Sequence, residues 1–310
     1  MKRFGLMLAL VALSGLPALA AALGTSARTV IPSEIQQVIS VDYRALKNSP
    51  TALALKDRVL PDNLKEFESA LRGVGINPDT DVDQLTFASF RSQKNLRIIG
   101  LASGNFPTKK ILAKLTAKKV KGTKYHSATL YPMAGGTDMT FLDDFTMLFG
   151  QRSAVENALD ARDGEAPSMA NNAQMSDMMG SVESGAVWSI LDAQGTQNMM
   201  RSTLGDAAKL ADFDTVRNRL LGSHYTMNFQ NGVNFDLDVV TSDSVTAATL
   251  SSIVKAGVLF RKMSAQGAEK TALDNVTVDS SSANLQLHFK TDDNKFQSLL
   301  KSDLFASIAR

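Results

Sequence analysis

Three histidines, His126, His224 and His288, are the side chains best suited to moving a proton near neutral pH. They stand too far apart in the chain for a shared metal motif, and no His-Glu-x-x-His is present. Each lies beside or within a strand-like run, where a histidine is ordinarily satisfied at an edge or in a core. A hydrolase site assembled from dispersed residues, with one of the three as base, is the enzymatic alternative. Ser252-Ile253-Val254-Lys255 and Ser298-Leu299-Leu300-Lys301 match the Ser-x-x-Lys spacing of acyl-enzyme hydrolases. Neither has the companion Lys-Thr-Gly or Ser-Asp-Asn, and both fall inside amphipathic helix patterns. The pairing is therefore read as helix surface.

Asp79-Thr80-Asp81-Val82-Asp83 begins like a calcium loop. Gln84 stands where that loop needs glycine and Phe90 where it needs a bidentate glutamate, so the aspartates are read as caps before a strand. Met169, Met175, Met178, Met179, Met199 and Met200 crowd the middle of the chain. Thioethers hold Cu(I), but Met175, Met178 and Met179 sit at i, i+3, i+4, the spacing of a buried helix face. Core or interface packing is expected. No catalytic residue, cofactor or metal site is assigned.

The densest charge is Lys109, Lys110, Lys114, Lys118, Lys119, Lys121 and Lys124. Lys110, Lys114 and Lys118 recur every four residues and share a helix face opposite Ile111 and Leu115. Such a row could meet an anionic surface. A solvated face with snorkelling stems is the plainer reading. No aromatics suited to base stacking interleave the row, and the whole chain carries only +2, so nucleic acid is not expected.

The 310 residues contain no cysteine, which removes disulfides, thiolate metal sites and a lipidated cysteine. Hydrophobic content of 44% and charged content of 21% are those of a chain that folds on a core. Met1-Lys2-Arg3, the apolar run Phe4 to Leu13 and Ala18-Leu19-Ala20 have the layout of a signal peptide cut after Ala20. Residues 1–20 are then a leader, and the mature chain is expected in the periplasm or outside the cell. No second run of that length occurs, so no transmembrane span is expected in the mature chain.

The elements that must position these residues are legible as patterns. Asn231-Gly232 lies between Tyr225, Met227, Phe229 and Val233, Phe235, Leu237, Val239, each set alternating with polar residues, which predicts a hairpin. Ser242 or Asp243 then caps a long helix to about Gln266. Leu85–Phe90 and Leu96–Ala102 predict a second hairpin, followed by the lysine helix. Met139–Phe149 reads as a hairpin-like run with a turn at Asp143-Asp144, and Ser153 with Glu156 has capping-box spacing. Asp163 to Ser168 is the best internal boundary. The expected organisation is a first half over 21–165, a linker with a Met-rich helix over 166–185, and a second half over 186–310. The order of elements is the same in both, which suggests an internal duplication. The fold class is α+β, each half an antiparallel sheet with helices packed on one face.

Phe141-Leu142-Asp143-Asp144-Phe145-Thr146-Met147-Leu148-Phe149-Gly150, then Ser153 to Leu159, then Ala186-Val187-Trp188, resembles a pattern in exported bacterial proteins of unknown function. The resemblance implies a duplicated α+β exported protein and brings no catalytic residues. The function expected is a non-enzymatic binding or scaffold role with an envelope protein or an anionic surface as partner. An envelope-surface adaptor acting through the Lys110, Lys114, Lys118 row is the alternative beside the hydrolase.

Overall fold

The computed structural model describes residues 22–59, 62–92, 95–205 and 213–300. The leader expected over residues 1–20 therefore lies outside the described residues, as does Lys301. In chain order the elements are α1 (Thr25–Val30), β1 (Ile35–Asp42), α2 (Tyr43–Lys47), α3 (Pro50–Val59), α4 (Asp62–Val74), α5 (Pro78–Asp81) and the hairpin β2 (Val82–Ser92) and β3 (Asn95–Gly104). Then come α6 (Thr108–Ala117), β4 (Thr123–Tyr125), β5 (Ala128–Pro132), β6 (Asp138–Phe141), β7 (Thr146–Gly150) and α7 (Arg152–Asp163). The rest is α8 (Ala173–Val182), β8 (Val187–Asp192), α9 (Ala193–Leu204), α10 (Asp214–Arg217), β9 (Leu220–Asn228), β10 (Val233–Thr241), α11 (Ser244–Ser264), α12 (Gly267–Asp274), β11 (Val276–Ser281), β12 (Asn284–Thr291) and α13 (Asp293–Leu300).

All the strands join one 12-stranded antiparallel sheet in the order β11-β12-β10-β9-β8-β1-β2-β3-β7-β6-β5-β4. The expectation of an α+β fold is what the structure shows. The expectation of two separate sheets is not: β1 has β2 on one side and β8 on the other, so both of its edges are paired. The seam is tied by Ile39 opposite Ser189 and Ser40 opposite Trp188. The buried Ser189 hydroxyl donates to the Val38 carbonyl at 2.8 Å, and Arg91 reaches across from β2 to Asp192 at 2.5 Å. The flanks share one feature of connectivity, although the first adds β6, β5 and β4 at its edge where the second adds only β11, and the structure does not establish the expected duplication. In each, the last strand pairs with the second strand of the central hairpin, β7 with β3 and β12 with β10.

Helices on one face hold for the second flank but not for the first. The reason lies in the strands. The five residues of β7 are all buried, and β2 buries Leu85 on one side and Ala88 and Phe90 on the other. Strands apolar on both sides must be covered on both sides. On one face Val38, Ala88, Ile99, Leu101 and Trp188 pack with Val155 and Leu159 of α7 and with Met175 and Met179 of α8. On the other, Leu85, Ala102, Met147 and Phe149 pack with Leu71 of α4 and Ile111 and Leu115 of α6. Beyond the seam this second face continues under α9 and α11, where Leu237, Val239 and Leu285 meet Met200, Leu250, Ile253 and Val254.

Directly paired residues share a face, so the first face can be followed outward past the seam. One row runs Trp188, Thr226, Asp236, His288, Thr277, and the next Ile190, His224, Asp238, Gln286, Asp279. Both rows change from apolar to polar within one strand. Outside α8, this face of the second flank is polar sheet.

Of three local expectations, two hold and one is adjusted. Met139–Phe149 is two strands about the expected turn, where Asp143 accepts from the Phe145 amide at 2.7 Å. No Ser153 capping box forms at α7: the helix already starts at Arg152, whose guanidinium is held by Asp138 at 2.6 Å, so Ser153 falls inside the first turn. The box with both bonds is Ser168 with Asn171, just ahead of α8. Long α11 is capped as expected, Asp243 accepting from the Thr246 amide at 2.8 Å.

Candidate functional site

The lysine row stands on α6, whose Ile111 and Leu115 are buried against the sheet while Lys110, Lys114 and Lys118 are exposed. Two of the three lean on a neighbouring helix. The Lys118 ammonium donates to the Gly73 carbonyl at 3.0 Å, and the Lys114 chain lies against Gly75, close enough that a Cβ there would meet its Cδ at 3.3 Å. Both therefore bring positive charge to the last turn of α4, where the helix dipole and unsatisfied carbonyls favour it.

The methionines divide between two cores. Met169, Met175, Met178 and Met179 lie in the cluster around Trp188, and Met200 with Met199 lies in the cluster under α11. The aspartates of the calcium-like stretch diverge. Asp79 pairs with Arg72, Asp81 accepts from the Asn77 amide, and Asp83 pairs with Arg44. Ser252 donates to the Ala248 carbonyl and Lys255 points to Asp279, so the Ser-x-x-Lys match is helix surface.

Each histidine meets a carboxylate. His224 and Asp238 are cross-strand partners, and burial lowers the His224 pKa while the Asp238 charge opposes that shift. His288 Nδ1 lies 2.6 Å from Asp236 Oδ1 on the polar sheet face. His126 Nε2 is 3.1 Å from Asp160 Oδ1 and 3.5 Å from Glu165 Oε2. The last grouping joins residues that nothing in the sequence brings together.

A second surface was not anticipated. On α11, Leu259, Phe260 and Met263 are 62%, 57% and 81% exposed, and with exposed Ala256 they occupy i, i+3, i+4, i+7. The opposite side of the helix supplies Leu250, Ile253 and Val254 to the core. Between Ser244 and Ser264 the helix carries Lys255, Arg261 and Lys262 and no acidic residue. Those cations have partners at the stripe's edge: Asp279 at 4.0 Å, Glu269 at 3.4 Å and Asp274 at 3.0 Å. The result is an exposed apolar ridge bordered by ion pairs. Among the described residues no helix is long and apolar enough to cross a membrane.

No protein-family model matches the chain, and no curated protein matches it. Among solved structures it is similar to crystal form I of TP0453, with 11% identity over 88% of this chain and 95% of that one and a TM-score of 0.48. It is also similar to crystal form IV of TP0453, with 10% identity over 89% and 96% and a TM-score of 0.46.

Proposed function

We propose that this is an exported, non-catalytic protein of the periplasm or cell exterior that works by contact, docking on an anionic lipid surface of the envelope through the outer face of α11. The observation that carries the proposal is the exposure of Leu259, Phe260 and Met263 on one helix face. A single convex ridge suits insertion among lipid headgroups, where large apolar residues sink in and flanking cations stay at the surface. Lys255, Arg261 and Lys262 stand on the same helix, each already facing a carboxylate that would have to give way to a lipid phosphate. Moving the exposed parts of the three side chains into hydrocarbon contributes about 4 kcal/mol in all. That is weak anchoring by itself, and the cations, paired as they are, add less than the ~1 kcal/mol of an unpaired basic residue near anionic lipid. The association is therefore reversible, and the Lys110, Lys114, Lys118 helix is a candidate second contact.

The test is co-sedimentation of the chain lacking residues 1–20 with phosphatidylglycerol-containing and pure phosphatidylcholine vesicles, at low and high salt. Binding is expected to the anionic vesicles, reduced by salt, and largely lost when Phe260 and Met263 are both changed to serine. These side chains are exposed, so the variant keeps its fold and its unfolding midpoint. Absence of wild-type binding at low salt, or equal binding by the variant, overturns the proposal.

A further inference from the structure

At the far end of the first flank, the β4–β5 turn and the end of α7 together deliver three ligand atoms to a common point. His126 opens the two-residue turn between β4 and β5, Asp160 stands on the last turns of α7, and Glu165 follows Gly164, the left-handed residue that ends α7. The nearest ring and carboxylate atoms of the three all lie within 4.8 Å of one another. Ligand bonds of about 2.0 to 2.2 Å put neighbouring donors of a tetrahedral zinc ion about 3.3 Å apart. The separations here, 3.1 Å from His126 Nε2 to Asp160 and 3.5 Å to Glu165, bracket that edge.

A histidine simply paired with acid does not need this arrangement. Nε2 carries at most one proton and can donate to one carboxylate, yet two approach it. Neighbouring groups arrange the rest. The Tyr125 hydroxyl donates to Asp160 Oδ1 at 2.8 Å, the kind of outer contact that orients a metal-binding carboxylate. That hydrogen bond, followed by burial and the charges of Asp160, Glu156 and Glu165, pushes the Tyr125 phenol up to about 12. Arg162, the cation nearest in sequence, is held by Asp163 and Ser127. Glu165 also lines a cleft of about 570 Å³ together with Thr29, Arg162, Ser168 and Asn171.

We propose that His126, Asp160 and Glu165 form a binding site for a divalent transition cation of the zinc type, with the fourth position left for water or a ligand oxygen. One imidazole nitrogen and two carboxylates fit such an ion. Calcium needs six to eight oxygens, and Cu(I) prefers sulfur. The imidazole must be unprotonated to bind, so affinity falls on acidification.

The test is isothermal titration of the chelator-treated chain lacking residues 1–20 with zinc chloride, paired with its thermal unfolding. One equivalent is expected to bind and, in excess, to raise the midpoint by ~3 °C. Magnesium and calcium should leave it unchanged. His126→Gly is the informative variant. His126 holds φ at +48°, a value glycine adopts freely, so the apo variant folds at least as well while its zinc response is lost. Glu165→Gln should weaken binding without changing apo stability, and Tyr125→Phe should weaken it about tenfold. No stoichiometric uptake by the wild type, or equal uptake by His126→Gly, overturns the proposal.

Discussion

Single side chains on the polar sheet face set how the protein responds to acid. His224 on β9 is half-buried between Ile190 of β8 and Asp238 of β10. Burial disfavours its charged form and lowers its pKa from 6.5, and the Asp238 carboxylate only partly offsets this. The unfolded chain therefore binds the His224 proton more readily than the folded chain, and stability rises with pH across the window just below 6.5. Acidification through that window removes the contribution. His224→Gln should flatten the fall in unfolding midpoint between neutral and mildly acidic buffer relative to wild type. Parallel curves for the two proteins would show that the residue is solvated like a free histidine. His288, bonded to Asp236 on the same face, has an exposed ring. The two positions are thus separable by substitution.

At the scale of elements, the hairpin of β9 and β10 shows both what a short sequence signal contains and what it omits. Asn231 and Gly232 do take positive φ, +58° and +101°. The connection is longer than two residues, however, since the last strand pair is Asn228 with Asn234 and Phe229 turns into the cluster formed with Phe296 and Leu299. Gly232 also lies so close to Thr291 that a Cβ would fall 2.2 Å from its carbonyl oxygen. Gly232→Ala should therefore cost about 2 to 3 kcal/mol, combining strained φ with a backbone collision. Asn231→Gly should be close to neutral. Urea unfolding at unchanged slope reads the difference, and a Gly232→Ala loss within error of Asn231→Gly would remove the close approach from the account. Period-two and period-four patterns made this hairpin, the Leu85–Ala102 pair and the Met175, Met178, Met179 face legible. They did not reveal which side of α11 meets the sheet, because Leu250, Ile253 and Val254 and then Leu259, Phe260 and Met263 make the helix apolar nearly all round. Nor could they place Asp160 beside His126, a contact made only when α7 folds across the β4–β5 turn.

The whole molecule turns on the β1–β8 seam, which pairs residues about 150 positions apart and has no local signature. A chain of two self-sufficient halves would keep each core within its own half. Here the core crosses. Trp188 belongs to β8, the first strand of the second half, yet it is 1% exposed in a cluster built largely from α1, β2, β3 and α7 of the first, closed by Met175 and Met179. Its ring is covered only when the seam is formed and both flanks are in place. Because it is the only tryptophan of the chain, its emission reports that seam directly. If the sheet unfolds as one unit, tryptophan emission and far-UV circular dichroism should follow superimposable denaturant curves with one midpoint. Independent halves would instead expose Trp188 while one flank retained its ellipticity, giving two midpoints. A proline in this central strand tests the same point from the backbone side. Ile39→Pro deletes an amide between β2 and β8 in the middle of the sheet, a position at which proline is not tolerated. It should lower both signals together, and a variant that lost only the tryptophan transition would show that the flanks hold themselves up separately.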